Sequence, residues 1–485
     1  MPESSYPAII DERSIVDDSA ISARVEPAVP AQARNARAGL VGWLRHHAGL
    51  DRAIAFTVLA RGWSSLAGLV TLVLIARFLT PVQQGYYYTF SSLVALQIVF
   101  ELGFSFVVLQ LAAHERAHLT ISGDGRVQGD PVAHARLASV LQKSVRWYGV
   151  AACLMMATVI PAGFYFFNTH QRAGAAIAWQ APWFVMVLAA ACTFQMDPVF
   201  SFLEGCGQVS QVARMRFGQA VVGTSMGWIA LLSGHGLFAP AMLIAGQAFV
   251  GAVWLLRRRR LLLGLARYES GCHRVGWRTE IWPFQWKIAV SWLCGYFIFQ
   301  LFNPVLFAYQ GPAAAGQMGM SLSIASSLSA IAISWMSTKS APFGNLVARG
   351  DFASLDRLFF RTLKQSTVLL AIGAAAFMSC LLYIAGHFPK LAGRVLAPWA
   401  FAFLLITVIS NHVVFSESVY LRSHKREPFL IVSIINAVAV GAGTYFFGRF
   451  SGANAVALWY FFGSGVLGLL LGTYVFVTRR KGWHA

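Results

Sequence analysis

The sequence is poor in charged residues, and acidic residues are the scarcer kind. Only 12% of its 485 residues are charged, and 19 acidic residues stand against 38 Lys and Arg. A soluble domain carries about 25% charged residues. This shortage excludes an ordinary solvated surface over most of the chain, and it indicates long lipid-facing segments instead.

The sequence also lacks the residue spacings of metal centres, disulfide frameworks and nucleotide sites. Its six cysteines are scattered without paired or metal-ligand spacing, which is typical of small packing residues. It has no Gly-rich phosphate loop and no metal-spaced group of His, Cys or Asp. We therefore expect no metal and no cofactor.

The first fifty residues differ from the rest of the chain. Residues 1–26 are acidic and rich in Ser, Pro and Ala, so they predict a disordered cytoplasmic tail. They show none of the features of a cleaved signal peptide. The segment from Arg34 to Arg52 is basic, and it is either a stretch that lies along anionic lipid headgroups or a plain linker.

What the sequence has in abundance is apolar runs, since 57% of its residues are hydrophobic. A membrane-spanning helix needs about 20 of them. The runs predict an all-α protein with about twelve transmembrane helices at 54–79, 86–111, 145–167, 176–203, 218–233, 237–256, 286–309, 313–338, 366–387, 395–419, 428–448 and 454–477.

The positions of Lys and Arg predict the orientation. They concentrate after every second predicted helix and at both termini, as in the Arg257–Arg260 run. Because cytoplasmic loops carry the basic residues, both termini are predicted to be cytoplasmic. The formal net charge of +19 then reflects topology, and nucleic-acid binding is not needed to explain it.

Two motifs recur along the chain. A Pro-x-x-x-Gly turn occurs at Pro81–Gly85 and again at Pro312–Gly316, each between two predicted helices. The next loops also match, with 135–144 resembling 356–366. The matching order predicts a duplicated six-helix unit, and because six is even the two copies run parallel. This predicts an N-terminal bundle at 51–260, a cytoplasmic linker at 261–285 and a C-terminal bundle at 286–485.

At this point the residues resemble a known family. The stretches 74–81, 85–88 and 100–104, together with 203–208 and 346–351, are similar to the bacterial polysaccharide flippases of the multidrug/oligosaccharidyl-lipid/polysaccharide (MOP) exporter superfamily. The resemblance extends from about residue 53 to the end. It implies two bundles in a V around a central cavity, lined largely by the first, second, seventh and eighth helices.

The resemblance also implies a cargo and a location. It implies that a polyprenyl-pyrophosphate-linked saccharide moves from the cytoplasmic to the outer leaflet of a bacterial inner membrane. Its expected partners are membrane lipids and the glycosyltransferases and polymerase of the same pathway.

Polar residues inside the predicted helices are candidate site residues, because such residues are costly in a membrane. Helical spacing predicts cavity-facing stripes that contain Arg61, Gln97, Glu101, Gln300 and Asn303. Arg61 has two interpretations: it attracts the pyrophosphate, or it forms a structural ion pair.

Three more residues are candidates for gating or ion coupling. Asp197 and Glu204 recur on one face of the fourth predicted helix, and His412 lies within the tenth. A buried His is more often a packing residue than a functional one.

Three functions remain in competition. A lipid-linked saccharide flippase working by alternating access is the main prediction. A cation-coupled multidrug antiporter of the same superfamily is the alternative, which Glu101 and Asp197 favour and Arg61 opposes. A membrane glycosyltransferase or polymerase is disfavoured, because the loops are too short for a catalytic domain and no set of positioned acids, bases or metal ligands is visible.

Overall fold

The computed structural model describes residues 52–122, 126–171, 177–268, 275–276, 282–424 and 428–484. The predicted tail at 1–50 lies outside these residues. Within helices a few side chains, including that of Arg61, also lie outside the described part.

The chain up to the predicted linker is helical apart from one short hairpin. The hairpin pairs β1 (Leu119–Ile121) with β2 (Val127–Gly129) antiparallel. The helices are α1 (Arg52–Phe78), α2 (Pro81–Val94), α3 (Ile98–Glu101), α4 (Phe104–Arg116), α5 (Pro131–His170), α6 (Gln180–Gly205), α7 (Val209–Leu232), α8 (Ala239–Leu256) and α9 (Arg259–Ala266).

The rest of the described chain is also helical. It contains α10 (Trp282–Phe299), α11 (Phe302–Gln310), α12 (Pro312–Ser337), α13 (Ser340–Ala348), α14 (Phe352–His387), α15 (Pro389–Ala392), α16 (Pro398–Arg422), α17 (Leu430–Phe450), α18 (Ala453–Tyr460) and α19 (Leu469–His484). A π-helix at Phe461–Gly468 joins α18 to α19.

The all-α, multi-span fold class is confirmed. Over the described residues, eight helical segments are long and apolar enough to cross a membrane, and ten are if each of two bent pairs forms one span. The predicted number of twelve, the cytoplasmic termini and the bundle boundaries stay predictions. The two predicted spans outside the ten are the first, in α1, whose apolar part is Gly62–Phe78, and the fifth, in α7.

The helix that contains the fifth predicted span is longer than that span. The apolar run predicts a span at 218–233, whereas α7 begins at Val209. Arg214 and Arg216 therefore lie in the helix and not in a loop. The guanidinium group of Arg216 is therefore carried by a helix of the predicted N-terminal bundle.

The helix that carries Gln97 and Glu101 is not the straight helix that the predicted stripe requires. A 3₁₀ turn at Ala95–Gln97 precedes α3, and the chain then bends by 46° before α4. Leu102 and Gly103 at the bend have φ of 50° and 69°, in the left-handed region. Leu102 is the one non-glycine residue with positive φ among the described residues, and this conformation carries a steric cost for a side chain. A second bend of 40° separates α10 from α11.

The two Pro-x-x-x-Gly turns contact each other directly. Pro81 and Pro312 occupy the first turns of α2 and α12, where a missing N–H costs nothing. A Cβ atom on Gly85 would overlap the carbonyl group of Pro312, and one on Gly316 would lie 3.0 Å from the Gly85 nitrogen. The backbones of α2 and α12 are therefore in contact at this end of the bundle.

A glutamine side chain ties this contact together. Gln84, which is 1% exposed, donates from Nε2 to the carbonyl oxygens of Gly316 at 2.8 Å and Arg394 at 2.9 Å. We call the region formed by Gln84, Gly85, Pro312 and Gly316 the sealed end. No solute can pass between backbones packed at this distance.

Two ion pairs lie at the end of the helices that is far from the sealed end. One joins the end of α4 to the start of α5, and the other joins the start of α14 to the end of α19. The buried Glu115 accepts from Arg136 Nε at 2.7 Å. Asp356 accepts from Arg480 Nε at 3.0 Å and from the Tyr420 hydroxyl at 2.5 Å. Together with the Arg257–Arg260 run after α8, these termini define what we call the basic end.

We expect Gly85→Ala to destabilise the sealed end. The added methyl group overlaps Pro312, and overpacking of this kind costs about 1–3 kcal/mol. The thermal midpoint of the purified protein in detergent should fall. Gly295→Ala is the control, because a Cβ there meets nothing within 4 Å. Equal midpoints for the two variants would contradict the close contact.

Candidate substrate cavity

A cavity of about 630 Å³ lies between helices from both predicted bundles. α1, α2, α7 and α8 form one side of its wall, and the α10–α11 bend and α12 form the other. Its polar wall residues carry hydroxyl or amide groups: Ser64, Thr71, Tyr87, Tyr88, Ser91, Ser92, Thr224, Gln247, Gln300, Asn303, Ser323, Ser326 and Ser327. None of the wall side chains that the structure describes is charged.

Hydrogen bonds on the side of this cavity nearest the sealed end join the two predicted bundles. Asn303 Nδ2 donates to Ser92 Oγ at 2.9 Å, and Ser92 Oγ donates to Gln300 Oε1 at 3.3 Å. Asn303 is 6% exposed, and its Oδ1 atom has no hydrogen-bond partner among the described residues. A buried amide oxygen of this kind is ready to accept a hydrogen bond from a ligand or from water.

Two further cavities adjoin the first and share Ala220 with it. One, of about 980 Å³, is bordered by Ser64, Glu204 and Arg216. The other, of about 460 Å³, is bordered by Gln97, Asp197 and Arg216. The larger one reaches Thr57 and Val209, which lie within two turns of the starts of α1 and α7. The three spaces together extend from the inter-bundle hydrogen bonds toward the basic end.

Of these three cavities, only those of about 980 and 460 Å³ are lined by charged side chains among the described residues. Arg216 Nε lies 3.2 Å from Glu204 Oε1, and Arg216 keeps 47% of its side chain exposed. Asp197 borders the same cavity as Arg216. A partly solvated pair of this kind contributes little stability, so its charges remain available to a ligand.

The structure brings most of the predicted site residues to these walls. Gln300 and Asn303 line the central cavity, and Gln97, Asp197 and Glu204 line the two below it. Their roles in binding, gating or coupling stay predictions. Arg61 is part of α1, but its side chain lies outside the described part, so its two interpretations stay open.

Glu101 lies elsewhere. Its carboxylate accepts a hydrogen bond from Ser105, whose hydroxyl oxygen lies 2.8 Å from the Tyr148 hydroxyl on α5. The 3₁₀ turn at Ala95–Gln97 lies between Glu101 and the cavity-lining part of α2, and the bend at Leu102 and Gly103 follows Glu101 directly. Glu101 therefore contacts the interior of the N-terminal helices.

His412 is a buried residue of α16 with 1% exposure. Its Nε2 atom lies 2.8 Å from Ser366 Oγ on α14, while Nδ1 has no partner among the described residues. One turn and a half further along, the buried Glu417 accepts from Thr473 Oγ1 at 2.9 Å. Both contacts lie within the C-terminal helices.

Sequence reasoning missed Arg216, which is the one described guanidinium group on the walls of these three cavities. The signal was available, because Arg216, Gln219, Thr224 and Gly227 recur at helical spacing along α7. The apolar run begins at residue 218, after the arginine, so hydropathy alone does not indicate Arg216. Gln247 on α8 and the pair Tyr87 and Tyr88 on α2 were missed as well.

Comparison with known proteins places this geometry in a known fold. No family model and no curated protein matches the sequence. Among solved structures, a eukaryotic MATE transporter superposes with a TM-score of 0.61 at 14% identity, covering 91% of this chain and 98% of the other. An inward-facing multidrug resistance MATE family transporter of the MOP superfamily gives 0.56 at 14%, covering 86% and 98%.

A third solved structure is a MOP superfamily transporter from Pyrococcus furiosus. It gives a TM-score of 0.52 at 13% identity, covering 90% of this chain and 96% of the other. At such identities the likeness establishes the fold. The chain has the fold of MOP superfamily transporters, and the polysaccharide flippase subfamily that the sequence resembles is not distinguished by it.

We expect Ser92 and Asn303 to be energetically coupled. In a double-mutant cycle with Ser92→Ala and Asn303→Ala, the coupling energy should be about 0.6 kcal/mol, the average for a hydrogen bond between membrane helices. The unfolding free energy in mild denaturant measures it. Asn303→Ala combined with Ser379→Ala is the control, because Ser379 bonds only to its own helix at Ala375. The control pair should be additive, and additivity of the first pair would contradict the contact.

Proposed function

We propose that the protein is a membrane transporter that works by alternating access. One observation carries the proposal: a polar cavity lined by helices of both predicted bundles lies next to the α2–α12 backbone contact of the sealed end and extends toward the basic end. A cavity between two rocking halves is the arrangement expected of such transporters. The structural relatives, which are described as transporters, support it.

For the substrate, we propose an amphiphilic organic cation exchanged against a coupling cation. The comparisons support this multidrug alternative better than the flippase, because solved relatives include multidrug resistance transporters. The described charges of the cavities agree, since Asp197 and Glu204 oppose the single Arg216. Tyr87 and Tyr88 present aromatic rings on the central wall, and aromatic faces attract organic cations.

The lipid-linked saccharide flippase is retained as a second candidate. The observation in its favour is the uncharged wall of hydroxyl and amide groups in the central cavity, which matches the hydrogen-bonding needs of a sugar. Arg216 would then meet the pyrophosphate, a role that the sequence suggested for Arg61. The inner-membrane location, the polyprenyl carrier and the partner glycosyltransferases and polymerase belong to this proposal.

We expect Asp197→Asn to slow cation exchange at least tenfold. The change removes a carboxylate from the cavity wall without changing its size, so cation attraction is lost. Ethidium movement in proteoliposomes under an imposed pH or sodium gradient measures the rate. Asp351→Asn is the matched control, because Asp351 caps α14 outside the cavity and Asn is an equally good cap. Wild-type rates for Asp197→Asn, or no ethidium movement at all, would count against the antiporter.

The flippase is tested in cells that lack the gene. Lipid-linked saccharide should accumulate in the cytoplasmic leaflet, and the wild-type gene should release it. Arg61→Ala and Arg216→Ala, compared at equal protein levels, identify which arginine meets the phosphate. An unchanged leaflet distribution after deletion would exclude the flippase and leave the antiporter.

A further inference from the structure

A second, separate group of arginines lies at the basic end outside the central cavity. It surrounds a cavity of about 960 Å³ bordered by Arg116 at the end of α4, by Gln208 and Gln211 at the start of α7, and by Arg257–Arg260 after α8. We call it the basic pocket. Its described wall contains five arginines and no acidic residue.

Arg258 connects the helices that form the wall of the pocket. The guanidinium carbon of Arg258 lies 3.5 Å from the centre of the Trp254 ring, which is cation–π stacking. Its Nε atom donates to Gln208 Oε1 at 3.1 Å, and its Nη2 atom donates to Gln211. Arg258 thus occupies the amide oxygens of α7 and fixes the α8 end against it. Arg257, Arg259 and Arg260 are exposed around this rigid centre.

Two further features of the wall favour an anion. Arg116 donates from Nη1 to the Leu119 carbonyl, but its buried Nε atom has no partner among the described residues. The 24-residue helix α7 begins at the pocket, and Gln208 at its N-cap makes no side-chain cap. The first N–H groups of that helix and its dipole add positive potential beside the arginines.

The rim of the pocket is apolar. Leu256 and Val253 border it, and Leu256 is 65% exposed. The short helix α9 buries Leu261 and Leu265 while its first two residues are arginines. Apolar side chains next to exposed arginines are typical of a membrane interface, where headgroups meet acyl chains.

We propose that the basic pocket binds the phosphate group of an anionic phospholipid. The guanidinium groups hold the phosphate oxygens, and Leu256 contacts the acyl chains. A soluble phosphate has the same chemistry toward arginine but gains nothing from the apolar rim. The site is distinct from the cavity of the proposed transport function and does not depend on it.

The test is lipid binding to the full chain in neutral detergent. Thermal midpoints are measured against rising concentrations of short-chain phosphatidylglycerol, of phosphatidylcholine with the same chains, and of inorganic pyrophosphate. We expect phosphatidylglycerol to raise the midpoint saturably and the other two to have no effect at equal concentration. Arg257→Gln with Arg260→Gln should weaken phosphatidylglycerol binding about thirtyfold, because each arginine near an anionic headgroup contributes roughly five- to sixfold.

Two variants keep the result specific. Arg361→Gln with Arg479→Gln removes the same charge from exposed positions elsewhere at the basic end, and it should bind lipid as the wild type does. Arg257→Lys with Arg260→Lys keeps the charge and should retain most of the binding. Equal loss in both glutamine pairs, stabilisation by phosphatidylcholine, or pyrophosphate acting in place of phosphatidylglycerol would each overturn the proposal.

Discussion

The contact between the backbones of α2 and α12 is the constraint on which the rest of the structure depends. It joins the two predicted bundles at the sealed end, and it exists only because Gly85 and Gly316 lack side chains there. α2 and α12, which make this contact, both line the central cavity. The hydrogen bonds among Ser92, Gln300 and Asn303 lie just beyond it, where the helices have separated enough to admit polar side chains.

Polarity changes along the cavity system in a way that bears on transport. The wall near the sealed end carries hydroxyl and amide groups, whereas Asp197, Glu204 and Arg216 lie toward the basic end. A charged group held in the membrane interior is expensive, and it becomes cheaper as water approaches. The described charges therefore lie where an aqueous entrance would solvate them. In the proposed transport function, a substrate that passes them would meet a surface of hydroxyl and amide groups, which selects by shape and hydrogen bonding.

The sequence predicted much of this because its signals are local. Apolar runs identify helices whatever their neighbours, and the repeated Pro-x-x-x-Gly turns mark two positions that contact each other in the structure. Gln300 and Asn303 were found because the polar positions lie at helical spacing. The remainder depends on what the sequence does not display. The bend at Leu102 and Gly103 is one example: a Cβ on Gly103 would overlap Ile288 Cγ2, a contact between distant parts of the chain that hydropathy does not indicate. Arg216 was missed because hydropathy gave no reason to begin α7 before it.

The π-helix at Phe461–Gly468 has a consequence for the helix that follows it. A π-turn adds roughly one residue to the regular helical repeat, which rotates everything after it by about 100°. Thr473 and Arg480 both lie after it, and they meet Glu417 and Asp356 on neighbouring helices. Their alignment thus depends on a phase shift in the π-helix, whose last residue, Gly468, precedes them by 5 and 12 residues. The direction in which α19 presents these two side chains to its neighbours therefore depends on the π-helix before it.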